Sequence, residues 1–366
     1  MNEKTSPPPP RRCIAAPDLA RPERATEGAR NPSVLWLDKN ENADPALAEV
    51  VRAVAANLPA SAFYGYPGLG PLYRKLAAFT GVAPESLLLS MGSDGAIRAA
   101  FEAFVSPGDS VILTAPTFAM YPVYCKIYGA KAIPIAYAPS DNGPKLAAAT
   151  IIAAIGETAP RLVCLPNPDS PTGTAFSQGE LRNIVEAAGR AGAVMLIDEA
   201  YYPFYPETAI SWIGDYSHLI VTRSTGKAWG LAGLRIGYAA ATEELTTLLH
   251  KVRPMYEAST LAAAIFDGML DHGDAVMESV RRLDAGKALF LAEMNAMGLR
   301  TLNGFGNFCH VAFGGRAENI HAALKNHVYY RQDFKEPCLK GFSRFSSTTP
   351  EKIQPLIERI RAAVES

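Results

Sequence analysis

Between residue 85 and about residue 240, short apolar runs alternate with amphipathic helical stretches, and this alternation restricts the chain to an α/β architecture. Leu87–Leu89, Val111–Leu113, Leu162–Leu165, Val194–Ile197 and Leu219–Val221 read as buried strands. All but one lead straight into a polar or Gly-containing turn, and Val111–Leu113 leads into Thr114-Ala115-Pro116. An open, mostly parallel sheet gathers such turns at the carboxyl ends of its strands, where ligand-binding groups sit.

Two helices are explicit. Ser177-Gln178-Gly179-Glu180 is a capping box, Leu181, Ile184, Val185 and Ala188 mark the buried face, and Gly192 lies just past the end. At the C-terminus Thr349 caps, Pro350 suits the first helical position, and Ile353, Leu356, Ile357 and Ile360 form the stripe. Beyond residue 250 the alternation stops. A long helical pattern runs from 251 to about Met297, followed by short strands around Cys309–Phe313 and Leu339–Phe345. The expected organisation is a flexible arm over 1–30, the first part of a small domain over 31–60, a large α/β domain over 61–250 and the rest of a smaller α+β domain over 251–366. Residues 31–60 are assigned to the small domain because they have no strand partner in the α/β region. The arm is rich in Pro, Arg and Ala with little to bury; a strap over a partner subunit is the alternative reading.

Composition excludes several classes. A net charge of −1 gives no basic field for nucleic acid or anionic membrane. No apolar run is long enough to span a bilayer, and the N-terminus lacks the apolar core of a secretory signal. Cys13, Cys125, Cys164, Cys309 and Cys338 are scattered without C-x-x-C spacing, so free thiols in the cytoplasm are expected and a metal centre is not.

The chemistry concentrates around Lys227. It follows a strand, in a small-residue turn with Ser224 and Gly226, and Arg235 comes eight positions later. A lone lysine is most often a solvated surface group. Here a lysine able to form a Schiff base stands beside hydroxyls, backbone N–H groups and an arginine able to hold a phosphate. Asp198 ends a strand, where a carboxylate can keep a pyridine nitrogen protonated, and Tyr201 can reach a ring oxygen from the same edge. Glu199 between them reads as structural. Gly92-Ser93-Asp94 opens a helix with Ile97, Phe101, Phe104 and Val105 on its buried face, offering an anion site at the helix start or merely a cap. Phe118 is suited to stacking on a flat ring, or to the core. Tyr66 lies in a Pro/Gly turn, and Arg331 and Arg344 are candidate receivers of a substrate carboxylate or phosphate, with surface ion pairing as the bland alternative. Together these groups point to pyridoxal 5′-phosphate. No phosphate-binding G-x-x-x-x-G-K-[ST] or H-E-x-x-H motif competes.

In this order the motifs resemble the fold-type I aminotransferases of classes I and II, nearest the histidinol-phosphate aminotransferase branch. The strongest stretches are LIDEAYYPF and TRSTGKAWGLAGLRIGY, with YPG near 66, SMGSDGAI and APTFAMY in support. The resemblance implies the pyridoxal phosphate-dependent transferase fold, a large domain on a mostly parallel sheet plus a smaller α+β domain. It implies that Lys227 carries the cofactor, Asp198 pairs with its pyridine nitrogen, and Tyr201 meets its 3′-oxygen. Gly92, Ser93, Asp94, Ser224 and Arg235 would hold the phosphate, with Tyr66 reaching the phosphate of the other subunit of a homodimer. Arg344, Arg331 and the 39–44 segment with Asn42 would meet substrate.

Three positions depart from the family pattern. NPNNPTG reads NPDSPTG, so the asparagine that touches the 3′-oxygen is Ser170; Gly226 replaces a serine before the lysine; and NENPxG reads Asn40-Glu41-Asn42-Ala43-Asp44. If Ser170 falls short of the 3′-oxygen, the Schiff-base pKa is expected to rise. The activity expected is transamination between an amino donor and a 2-oxo acid. Decarboxylation of a phosphorylated amino acid is the alternative within the same chemistry. A non-catalytic sensor is disfavoured, because the Pro-rich arm has no helical period for a DNA-reading helix.

Overall fold

The computed structural model describes residues 9–19 and 28–365. Its strands are β1 (Leu35–Trp36), β2 (Leu87–Ser90), β3 (Ser110–Ala115), β4 (Lys131–Ala136), β5 (Leu162–Pro166), β6 (Val194–Asp198), β7 (Leu219–Ser224), β8 (Gly237–Ala241), β9 (Arg300–Asn303), β10 (Phe308–Ala312), β11 (Val328–Tyr329) and β12 (Phe342–Ser346). Seven of them make one sheet in the order β2-β8-β7-β6-β5-β3-β4. Every pairing from β7 through β4 is parallel, and β8 runs antiparallel to both β7 and β2. This is the mostly parallel sheet expected from sequence. β2, β5, β6 and β8 are buried at every position, as strands covered on both faces must be.

Two strands of this sheet escaped the sequence reading for physical reasons. β4 is an edge strand with exposed and half-buried residues and an internal Pro134, a residue that sheets tolerate at edges. β8 is mostly Gly and Ala and lacks the bulky apolar signature. The capping box at Ser177 and the C-terminal stripe both form as read.

The helical pattern assigned to one stretch up to Met297 is divided. It comprises Glu243–Val252, Thr260–Met269 and Gly273–Ala296, separated by a loop at 253–259 and a 3₁₀ turn at Leu270–His272. Pro254 has no N–H to continue the first helix, and Ser259 caps the second by accepting from Ala262 N. β9, β10 and β12 form a separate antiparallel sheet in the order β12-β10-β9. The residue 31–60 segment sends β1 to pair with β11, and its helix Pro45–Ala56 follows. Part of the arm lies outside the described residues. Within them, Cys13 Sγ donates to the Ile127 carbonyl at 3.2 Å and Asp18 pairs with Lys126 at 2.7 Å. All five cysteines are free thiols. Among the described residues no helix is long and apolar enough to cross a membrane.

A buried ion pair locks β6 to β7 directly behind the ligand edge. Glu199 meets Arg223 at 2.9 Å and also accepts from Thr208 Oγ1 and Ala209 N, while the guanidinium lies 3.5 Å over the Tyr202 ring. Both side chains are almost fully buried, so deleting one leaves an uncompensated charge. Glu199→Ala is expected to lower unfolding stability by about 3 kcal/mol, read from the urea midpoint at unchanged slope. A loss below about 1 kcal/mol would show that water or a neighbour replaces the carboxylate.

Candidate active site

The parallel strands deliver their carboxyl ends to one edge, and the antiparallel β8 brings its amino end to the same place. The loops meeting there enclose a cavity of about 420 Å³. It is lined by Lys227, Asp198, Tyr201, Ser93, Asp94, Ser224, Arg235, Phe118, Ser170, Arg331 and Arg344. Residues as far apart in sequence as Lys39 and Arg344 therefore line one cavity.

β2 ends at Ser90 opposite Gly237, and the helix Gly92–Phe104 begins at once. Two glycines permit this closeness. Gly92 has φ +69°, and a Cβ there would lie 2.7 Å from Arg235 Nη2; a Cβ on Gly237 would lie 2.5 Å from Ser93 N. The Ser93 and Ser224 hydroxyls, the helix start and the Arg235 guanidinium thus share one corner of the cavity, and Arg235 has no carboxylate partner among the described residues. Tyr124 OH donates to Asp94 at 2.9 Å.

Asp198 is buried and accepts from Thr222 Oγ1 at 3.0 Å and Tyr121 OH at 3.2 Å. It forms no ion pair among the described residues. Burial pushes its pKa up to about 6 despite those hydroxyls. Lys227 Nζ donates to the Lys39 carbonyl at 2.7 Å. Burial holds its pKa down to about 8, helped by the charges of Arg344 and Arg235 and opposed by Glu41 and Asp198. Tyr201 OH accepts from Asn40 Nδ2 at 2.8 Å, and burial raises its pKa.

Arg344 sits on β12, buried, with Nη1 donating to Ser170 Oγ at 3.2 Å and Nη2 to the Asp38 carbonyl at 2.7 Å. It has no carboxylate partner among the described residues, and its Nε is buried without a hydrogen bond. His310, opposite Arg344 across the β10–β12 register, is driven down to about 3 by burial and by the Arg344 charge, so its ring stays neutral.

Three expected residues do not line the cavity. Asn42 does not line this cavity; its Nδ2 donates to the Ala228 carbonyl and Ser279 Oγ, both at 2.9 Å. Tyr66 is exposed and stacks on Tyr256 at 4.4 Å. Gly92 does not line the cavity either, and its carbonyl accepts from Ser90 Oγ at 2.7 Å. Phe118 meets Tyr121 edge-on at 5.8 Å while lining the cavity.

The sequence reading also missed groups. Asn40 supports Tyr201, and its only sequence signal is the polar run at 38–42. Tyr121 and Thr222, which serve Asp198, carry none. Asp169, at the first of the NPDSPTG departures, is fully buried. It accepts from Thr114 Oγ1 (2.6 Å), Thr117 Oγ1 (3.0 Å) and Tyr137 OH (3.0 Å), and burial lifts its pKa to about 7. It ties the loop carrying Ser170 to the segment carrying Phe118.

A family model, aminotransferase class I and II, matches residues 32–360. The histidinol-phosphate aminotransferase of Thermoanaerobacter pseudethanolicus is 30% identical over 328 residues, covering 89% of this chain and 92% of that protein. Among solved structures, the Sinorhizobium meliloti histidinol-phosphate aminotransferase in complex with pyridoxal-5′-phosphate matches with a TM-score of 0.79 at 21% identity, over 90% of this chain and 91% of that one. The N-succinyldiaminopimelate aminotransferase of Mycobacterium tuberculosis matches with a TM-score of 0.76 at 23% identity, over 90% and 93%. Two neighbours with different substrates share the fold, so the fold alone does not select the donor.

Proposed function

Because the chain belongs to the class I and II aminotransferase family, we propose that it is a pyridoxal 5′-phosphate-dependent transaminase of the histidinol-phosphate aminotransferase kind, acting on an amino donor with an acidic group. The observation that carries this reading is the convergence of Lys227, Asp198, Ser93, Ser224 and Arg235 on one cavity.

The residues fit the cofactor. Ser93, Ser224, Arg235 and the helix start form a donor set for a phosphate. Asp198, a buried carboxyl without a cation, suits a protonated ring nitrogen. Lys227 has a depressed pKa and a primary amine to carry the aldehyde carbon. Pyridoxal phosphate, when bound, supplies the electron sink that makes a substrate Cα proton removable.

The chain's own groups then divide the work. Lys227 would take the donor's Cα proton as general base and, as general acid, deliver it to the carbon that had been the cofactor's aldehyde, tasks suited to a pKa near 8. Asp198 would keep the ring nitrogen protonated. Tyr201, steadied by Asn40, stands on the same wall as Ser170. Arg344 and Arg331, neither paired with a carboxylate among the described residues, receive the donor's acidic groups. Tyr66 does not reach this chain's cavity. With Phe63, Tyr64, Met255 and Tyr256 also exposed, it fits a homodimer in which it serves the other subunit's site. The five free thiols suit the cytoplasm.

The test is the visible spectrum of the protein with pyridoxal phosphate, before and after histidinol phosphate and a panel of amino acids, with product analysis. The expected result is a lysine-linked band that bleaches with one donor class and releases a keto product. Evolved CO₂ without a keto product would identify decarboxylation instead. Absence of the band would overturn the assignment of Lys227.

A further inference from the structure

Arg331 and Phe334 both line the cavity, although they are three residues apart on an extended segment. On a regular strand such residues face opposite sides. The pairing explains the exception. Arg331 and Arg344 exchange backbone hydrogen bonds, at 3.1 and 2.8 Å, and Phe334 N donates to the Phe342 carbonyl at 2.8 Å. Gln332 and Asp333 therefore stand against Ser343 alone, which is a β-bulge. The extra residue returns Phe334 to the side of Arg331, where its ring lies 5.3 Å from the guanidinium. Asp333 takes φ +29°, a conformation that costs a non-glycine residue energy and needs support.

That support comes from His321 on the helix Ala317–Leu324. Its Nε2 lies 3.0 Å from the Asp333 carboxylate and its Nδ1 2.5 Å from Tyr330 OH. A carboxylate only accepts, so Nε2–H donates to Asp333 and Nδ1 accepts from Tyr330. One ring thus grips both residues that bracket Arg331-Gln332. Tyr330 is itself stacked on Phe345 at 4.5 Å, and Asp333 N donates to Ser343 Oγ at 3.2 Å.

We propose that His321 is a positioning residue for substrate specificity: by pinning the bulge through Tyr330 and Asp333, it aims Arg331 into the cavity to receive the donor's phosphate. The proposal rests on the reading of Arg331 as a phosphate ligand.

The experiment compares histidinol phosphate with histidinol, the same donor without phosphate, by kcat, KM and the dissociation constant from titration of the visible band. His321→Phe keeps the ring packed against Phe313 and Tyr330 but removes both hydrogen bonds. It is expected to raise KM and the dissociation constant for histidinol phosphate about tenfold, with those for histidinol and its kcat unchanged. In an Arg331→Ala background it should add nothing, and His321→Gln, whose amide can still donate to Asp333, should recover part of the loss. Tyr330→Phe, which removes one of the two His321 hydrogen bonds together with the one Gln332 Nε2 donates to the same hydroxyl at 3.3 Å, and keeps the stack, should show a loss of the same pattern and serves if His321→Phe does not fold. If Arg331→Ala raises KM for histidinol phosphate while the His321 and Tyr330 variants do not, the positioning role is overturned and the Arg331 reading stands. If Arg331→Ala leaves both donors alike, the reading of Arg331 fails first. An equal loss on both donors would reduce His321 to a general structural role.

Discussion

Lys227→Ala is expected to abolish covalent retention of pyridoxal phosphate and to lower turnover by about 10⁴-fold or more, since one residue supplies both the attachment point and the general base. Borohydride reduction followed by mass spectrometry should place the cofactor mass on the Lys227 peptide in the native protein and nowhere in the variant. The local environment adds a pH signature. Burial and two arginine charges bring the amine to about 8, so its uncharged, reactive form should appear through that pH rather than near the ordinary lysine value of 10.5. The folded pKa lies below the unfolded one, so the native protein releases its proton first. Stability of the cofactor-free protein should therefore rise with pH between about 8 and 10.5, and Lys227→Ala should remove that rise. A variant that keeps a tenth of native turnover would put the base elsewhere.

Asp198→Asn is expected to lower kcat by about 10³-fold while leaving the lysine linkage intact, because it removes the charge facing the ring nitrogen and keeps the shape. The sign of its effect on the cofactor-free protein separates this role from a structural one. Burial raises the carboxyl pKa from 3.8 to about 6, so the native state holds its proton where the unfolded chain has lost it. Stability is then lost as pH rises from about 4 to 6, and the deficit persists above that range. Asparagine carries no such penalty. The cofactor-free variant should be at least as stable as the native protein at pH 7, and the cofactor should stabilise it less. A destabilised cofactor-free variant with native kcat would make Asp198 a structural acceptor for Thr222 and Tyr121.

The β6–β7 ladder illustrates what was legible in the chain. Strands buried on both faces must be continuously apolar, so Val194–Ile197 and Leu219–Val221 announced themselves, and the polar residues after them had to emerge at the ligand edge. β4 and β8 were not legible, because an edge strand and a Gly/Ala strand lack that pressure. Asn42 and Asn40 show the same limit within the site. Both stand in one polar run, yet Asn40 has φ +56° and turns its amide to Tyr201, whereas Asn42 caps its own loop against Ser279. Spacing of two residues distinguishes neither, since a loop has no period.

Local chemistry by itself determined the α/β class, the lysine turn and the Asp–Tyr strand end, because each is a short segment whose residues must act together. Tertiary structure alone decided which arginines face the cavity, what supports Asp198, Tyr201 and Arg331, and how far the Asp198 and Lys227 pKa values move. Those properties arise from burial and from contacts between separate elements of the chain, and no local pattern encodes either.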